Sequence, residues 1–239
     1  MADIMGFVFD LDGTLINSTE IGRSIEQRIF EVFNLDMNQS IKKEIDELTY
    51  EIMQQENRKN LGIKVMWEIF KLLGLNIFQR LRALYIASKI FKREVKRVKL
   101  YEGVKETFTF LDDKSIPYSI ATTSSQKEVE DRLMKFPEFF SKLQGRIITR
   151  SDVKNMKPDP ESMKKAAELM DVPLHRTVMV GDIHYDILMG KNADAITIAV
   201  LTGIFSEEQF KPFEPDFIID SVANIPEIFT EIQSKLKSE

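Results

Sequence analysis

After Tyr101 the chain settles into an alternation that leaves few folds open to it. Continuous apolar runs at 118–123 (YSIATT), 145–149 (GRIIT), 177–182 (TVMVGD) and 196–201 (ITIAVL) are separated by stretches of helical character. Runs without polar alternation fit strands covered on both faces. Strands that alternate with helices imply right-handed crossovers and a parallel, doubly wound sheet. The phrase PDFIID at 215–220 predicts an edge strand, and the apolar run at 4–10 predicts one more short buried strand of the same sheet. Local signals mark helix starts as well: Ser125 with Glu128 forms a capping box, and Asp159-Pro160 reads as N-cap followed by N1.

Between the first strand and the rest, the period changes. Ile21, Ile25, Ile29 and Phe33 recur at helical spacing, as do Ile41, Ile45, Leu48 and Ile52. Two further helices are expected over 64–73 and 78–98, separated by Gly74 and Asn76. The fold class is therefore α/β: a Rossmann-like, doubly wound parallel core formed by 1–17 and 99–239, with an α-helical domain inserted over 18–98. At 239 residues either part can bury a core.

Composition removes several classes of function. With no cysteine, disulfides, thiolate nucleophiles and zinc-cysteine sites are out, and a reducing cytoplasm is the expected setting. The opening MADIMGFVFD carries Asp3 and no basic leader, so no signal peptide is read there. No run of about 18 uncharged apolar residues occurs, so no membrane span is expected. A net charge of -5 argues against a general nucleic-acid or polyanion binder.

In an open α/β sheet, ligands bind beyond the carboxyl ends of the strands. There the sequence places Asp10 and Asp12, Thr122 and Thr123, and Asp182, with Lys157 in the loop after the run at 145–149. One aspartate at a strand end is a good turn former and needs no chemistry. Several carboxylates converging on one crevice are costly unless a cation or ligand compensates them. In GDIHYD, a helix starting at once would set Asp182 and Asp186 on one face, at a cost of about 0.2–0.5 kcal/mol if unpaired. Helix N-termini tolerate acids, which is the bland explanation. A hard cation with oxygen ligands is the chemical one, and magnesium suits few carboxylates with phosphate and water.

Taken in order, DLDGT (10–14), SIATTSS (119–125), KPDP (157–160) and GDIHYD (181–186) resemble the four motifs of the haloacid dehalogenase-like superfamily, in its phosphatase branch. The tail from TGIFSEEQF onward is similar to its phosphoglycolate phosphatase-like group, and the helical insert resembles its C1-type cap. The resemblance implies a magnesium-dependent phosphatase acting on a small phosphorylated metabolite, phosphoglycolate- or sugar-phosphate-like, through an aspartyl-phosphate. It makes Asp10 the nucleophile and Asp12 the general acid/base. Thr122 and Lys157 would meet the transferring phosphoryl group, with Gly13, Thr14 and Thr123 also at the substrate. Asp10, the Asp12 carbonyl, Asp182 and Asp186 would hold Mg2+. Ile183 and Thr123 depart from the residues usual beside motifs four and two. Asp12 speaks against a true haloacid dehalogenase, and the lack of histidine before His175 against a phosphomutase. Alternatives are a phosphotransferase or phosphonate-cleaving enzyme on the same core, or a catalytically weak binding or regulatory protein. A monomer or small homo-oligomer is expected.

Other features read as structural. His184 is expected at the surface or a helix start, His175 in an exposed loop, and the 11 methionines and Trp67 as core filler. Lys89, Lys92, Arg93, Lys96 and Arg97 are expected on one solvated helix face, paired with Glu44, Asp46, Glu47 and Glu51. That face could instead attract a phosphorylated substrate or a polyanionic surface.

Overall fold

The computed structural model describes residues 5–53 and 61–238. Residue 4 of the expected first strand and residues 54–60 of the helical insert lie outside them. The chain divides into two compact units, Met1–Thr19 with Val98–Glu239, and Glu20–Arg97.

The larger unit is built on a six-stranded parallel sheet: β1 (Gly6–Phe9), β2 (Tyr118–Ala121), β3 (Ile147–Ile148), β4 (Thr177–Gly181), β5 (Ile196–Val200) and β6 (Phe217–Ile219). The order is β3-β2-β1-β4-β5-β6, so β6 is an edge strand and β1 lies centrally. Register is tight around β1, with Phe9 opposite both Ile120 and Val180. Strands β1, β2, β4 and β5 are buried throughout, as uninterrupted apolar runs require. β3 is shorter than its apolar run because Thr149 leaves the ladder to cap a 3-10 turn. Its hydroxyl accepts from Ser151 N, while Asp152 Oδ2 accepts from Thr149 N.

Helices α5 (Val104–Asp113), α6 (Gln126–Leu133), α7 (Pro137–Leu143), α8 (Glu161–Met170), α9 (His184–Asn192), α10 (Glu207–Phe210) and α11 (Ile225–Ser238) belong to the same unit. The twofold alternation of β1 sorts its neighbours. Phe7 and Phe9 enter an aromatic cluster with Phe108, Tyr118 and Phe139, mostly tilted or edge-on at centroid distances of 4.7–5.0 Å around Phe108. Val8 faces an aliphatic and methionine layer with Ala121, Met163, Ala166, Met179 and Met189. The Ser125–Glu128 capping box at the start of α6 is present. At α8 the expected register is off by one: Pro160 itself is the N-cap, and Asp159 Oδ1 reaches over it to accept from Glu161 N at 2.9 Å.

The smaller unit contains α1 (Thr19–Phe33), whose first residue it shares with the core unit, α2 (Gln39–Met53), α3 (Leu61–Leu72) and α4 (Ile77–Glu94). Ile29, Phe70, Leu75 and Ala83 form its buried centre, flanked by Ile25, Phe33, Met66, Ile69 and Leu84. Asn76 caps α4 reciprocally with Gln79, which explains the break after Gly74. α4 ends at Glu94, earlier than the pattern predicts, so Lys96 and Arg97 lie past the helix and do not extend its basic face. Arg93 and Arg97 pair with Glu94 at 2.6 and 3.6 Å, and Glu47 pairs with Lys43. For Arg93, Arg97 and Glu47 the expected pairing between that basic stretch and the α2 acids is corrected accordingly: sequence neighbours reach these charges first. Trp67 is half-buried under the Arg80 guanidinium at 4.6 Å, and Met37 and Met134 are exposed, so neither residue type is uniformly core. Among the described residues, no helix is long and apolar enough to cross a membrane.

Candidate active site

β1 ends at Phe9, and the ladder carries on one step, with Asp10 N donating to Val180 O at 2.8 Å. This fixes Asp10 at the carboxyl end of the central strand. Gly13 follows in the left-handed region, at φ +91°, where a side chain would be strained. A Cβ there would also overlap the Asp182 carboxylate, as would one at Gly203; one at Gly181 would overlap Asp186. Glycine at these three positions lets backbone pack directly against the acids. Gly13 O is held by the Thr202 hydroxyl at 2.6 Å, and Thr202 O by the Tyr101 hydroxyl at 2.7 Å.

Asp182 lies just before α9 and Asp186 lies in its first turn. The helix starts at His184, so the two acids do not share a helix face as the motif's spacing predicts. They converge because one ends a strand and the other projects back from the helix. Ile183 offers no side-chain cap, and Asp186 Oδ2 takes its N–H at 3.3 Å.

Lys157 is the hub. Its Nζ donates to Asp10 Oδ1 at 2.5 Å and to Asp186 Oδ1 at 2.6 Å. Asp182 Oδ1 accepts from the Thr14 hydroxyl at 3.0 Å. Lys157 and all three acids are buried, and the acids can each turn one oxygen to within 4.8 Å of the others. Burial pushes the Asp10 carboxyl up to about 7; Lys157 pulls against this and the Asp186 charge adds to it. Burial, then the charges of Asp10 and Asp186, lift Asp182 well above the carboxylate range, against the Thr14 hydrogen bond. Burial opposes the charge on Lys157, but Asp10 and Asp186 outweigh it and hold the ammonium on. One lysine among three buried acids leaves an excess of negative potential. A set of carboxylate oxygens at this spacing, packed by glycine backbone, fits a hard divalent cation.

Asp12 turns away from this cluster. Ser124 Oγ donates to its Oδ2 at 3.0 Å, and Arg132 Nε lies 3.3 Å from its Oδ1. Burial raises its carboxyl, with Arg132 and Ser124 pulling it back. Thr122 is buried at the end of β2 and its hydroxyl accepts from Ser124 N at 3.1 Å. Thr123 is exposed, and the next residue, Ser124, is the one turned inward.

His175 is exposed, in line with expectation. His184 does begin a helix but is buried, correcting the expected surface position. Its ring lies against Tyr185, Phe205 and Phe213, at centroid distances of 3.8, 5.2 and 4.9 Å, beneath the start of α9. Residues that sequence reasoning passed over are Ser124, Arg132, Thr202 and Gly203. For Arg132 a signal existed: it shares the inward stripe of α6 with Val129 and Leu133.

The model of the haloacid dehalogenase-like hydrolases matches residues 7–200. Pyrophosphatase PpaX of Bacillus mycoides (strain KBAB4) is 30% identical over 229 residues, covering 94% of this chain and 96% of that protein. A haloacid dehalogenase family hydrolase from Deinococcus radiodurans R1, solved with bound phosphate and sodium, superposes with a TM-score of 0.77 at 18% identity, covering 98% of each chain. A predicted phosphoglycolate phosphatase from Haemophilus somnus 129pt gives 0.71 at 20% identity, covering 96% of this chain and 99% of that one. The strand order, the strand-end acids and these matches agree: the chain belongs to the haloacid dehalogenase-like hydrolase family, and it is an enzyme of the phosphatase type.

Proposed function

We propose that the chain is a Mg2+-dependent phosphatase that hydrolyses a small phosphorylated metabolite through an aspartyl-phosphate on Asp10. The observation that carries this reading is the buried Lys157, bridging Asp10 and Asp186 with Asp182 alongside. A nucleophilic carboxylate beside a fixed ammonium is poised to meet a dianionic phosphoryl group, and the lysine offsets charge as the transfer proceeds. Asp10, Asp182 and Asp186, with the Asp12 carbonyl, would hold the metal, which when bound supplies charge neutralisation at the phosphoryl oxygens.

In the first half-reaction an Asp10 oxygen bonds to phosphorus, the ester bond breaks, and Asp12 gives a proton to the leaving oxygen. In the second, water bonds to phosphorus, its proton passes to Asp12, and the Asp10 carboxylate is released. Thr122, buried at the end of β2, serves as a donor to the phosphoryl group, with Gly13, Thr14 and Thr123 around it. The helical unit would act as the cap that excludes water and selects the leaving group. A cytoplasmic setting goes with this reading.

The substrate is proposed as a phosphomonoester of phosphoglycolate or sugar-phosphate type. A second reading, inorganic pyrophosphate, is favoured by the name of the Bacillus relative that matches 94% of the chain. A panel of phosphomonoesters and pyrophosphate, assayed with and without Mg2+, separates the two by kcat/KM. Failure to find metal-dependent turnover of any of them, or of p-nitrophenyl phosphate, above that of Asp10→Asn would sink the proposal.

A further inference from the structure

A second polar network stands at the mouth of the strand ends. Arg132 is 6% exposed, although it lies on the inward stripe of α6 between apolar residues. Its Nη1 donates to Ser124 Oγ at 2.9 Å, and Ser124 Oγ donates to Asp12 Oδ2 at 3.0 Å. Its Nε lies 3.3 Å from the other oxygen of the same carboxylate. The three side chains close a ring around Asp12. One oxygen is held by a hydroxyl hydrogen bond and the other by the nearby guanidinium charge alone, since neither Asp12 Oδ1 nor Arg132 Nε makes a hydrogen bond. Ser124 is itself tied to the end of β2, because its N–H donates to Thr122 Oγ1 at 3.1 Å.

A buried arginine needs an anion, so charge neutralisation alone is the bland account. Glu128, one turn earlier on α6, would be the local choice. Its charge does act on Arg132, but its carboxylate accepts from Ser125 N and Oγ, at 2.7 Å each, and pairs with Arg150 at 3.5 Å, so it makes no direct bond to the guanidinium. The guanidinium reaches across to the one acid of the DxD pair that Lys157 does not hold. A planar fork can address a carboxylate and a hydroxyl together, which a lysine ammonium does poorly.

We propose that Arg132, acting with Ser124, is the positioning residue for Asp12, fixing the orientation from which that carboxyl exchanges protons with the reacting oxygens. The inference rests on the phosphatase reading and deepens it. In hydrolysis of the aspartyl-phosphate, the water oxygen bonds to phosphorus as the bond to Asp10 breaks, with its electron pair returning to Asp10. The water proton must land on Asp12. A carboxylate released from the ring is misplaced for that transfer and for protonating a poor leaving group.

Arg132→Gln, Arg132→Lys and Ser124→Ala are compared with wild type on p-nitrophenyl phosphate and on an alkyl phosphomonoester such as glycerol phosphate, with Mg2+. Nitrophenolate leaves without a proton, so its release reports Asp10 attack alone. In Arg132→Gln we expect kcat on the aryl ester to fall about 10²-fold while a burst near one nitrophenolate per site persists. KM falls in parallel, so aryl kcat/KM stays within about 3-fold, whereas alkyl kcat/KM drops by the larger factor. Arg132→Lys restores part of the loss. Ser124→Ala removes only a hydroxyl and shows a smaller loss with the same aryl–alkyl split, so it carries the test if Arg132→Gln does not fold. Wild-type behaviour in these variants, or equal losses of kcat/KM on both esters, overturns the positioning role. Absence of Asp10-dependent turnover in the wild type overturns the phosphatase reading itself, and this inference with it.

Discussion

The two units differ in where they place polar residues, and both leave some large apolar side chains exposed, Met134, Leu169 and Ile204 among them in the α/β unit. Every buried polar or charged residue among those described lies in the α/β unit, including Asp10, Arg132, Lys157, Asp182 and Asp186. The described residues of the helical unit include none, yet they expose Met37, Ile63, Leu72, Ile77, Phe78, Leu81, Tyr85 and Phe91, with Phe78 80% exposed. A sheet covered on both faces buries enough apolar area to carry several desolvated charges; four helices around a small centre do not. Chemistry that depends on desolvation therefore has one place to be.

The most severe way to break this contrast is to remove the nucleophile. Asp10→Asn keeps shape and burial but leaves no carboxylate to attack phosphorus. Turnover should fall by at least about 10³-fold, with no change of substrate restoring it. Steady-state assays over the substrate panel check this, and residual activity near wild type would move the chemistry elsewhere.

Lys157→Met comes next. It leaves Asp10 and Asp186 buried without their ammonium, a change that should cost about 3–5 kcal/mol in metal-free protein. Breaking the exposed Arg28–Glu31 pair of α1 with Arg28→Ala should shift stability by less than about 1 kcal/mol. Urea unfolding of both variants sharpens the comparison: similar shifts would mean that burial of charge does not distinguish the units.

A matched aromatic pair isolates packing from charge. Phe108, fully buried between Phe9, Tyr118 and Phe139, should lose about 3–5 kcal/mol on Phe108→Ala. Phe78→Ala on the exposed side of α4 should stay within about 0.5 kcal/mol of wild type. A large loss at Phe78 would show that the face is covered in solution.

The same contrast explains what could be read in advance. Strands β1, β2, β4 and β5 are visible as apolar runs because burial on both faces removes polar alternation. Asp10, Lys157, Asp182 and Asp186 are legible because strand ends and their loops are where a doubly wound sheet gathers ligands. What escaped depends on local hydrogen bonds or on distant partners. Thr149 cuts β3 short by capping, and α4 stops at Glu94 although its pattern runs on. Arg132 stands out only by sharing the apolar stripe of α6 with Val129 and Leu133, and its partner Asp12 is apparent only once the fold brings them together. His184 looks like a surface residue until three aromatic rings close around it.

The smallest expected effect concerns pH, and it tests whether the acids of the core are held at a cost. Asp10 is raised from 3.8 to about 7 by burial, and Asp182 is raised in the same direction. Between those values the folded chain keeps a proton that the unfolded chain has released. The native state then binds more protons, so the stability contributed by these groups falls as pH rises from about 4 to about 7. Lys157 is shifted upward from the ordinary lysine value, so its own contribution is lost only at far higher pH, outside this interval. In metal-free protein the melting temperature should therefore decline from pH 5 to pH 7.5, and Asp182→Asn should flatten the decline. Because ligating carboxylates must be ionised, Mg2+ should raise the melting temperature more at pH 7.5 than at pH 5. Thermal melts in chelator and in magnesium measure both slopes. A metal-free decline that Asp182→Asn leaves untouched, together with a magnesium shift independent of pH, would place the titrating groups outside this cluster.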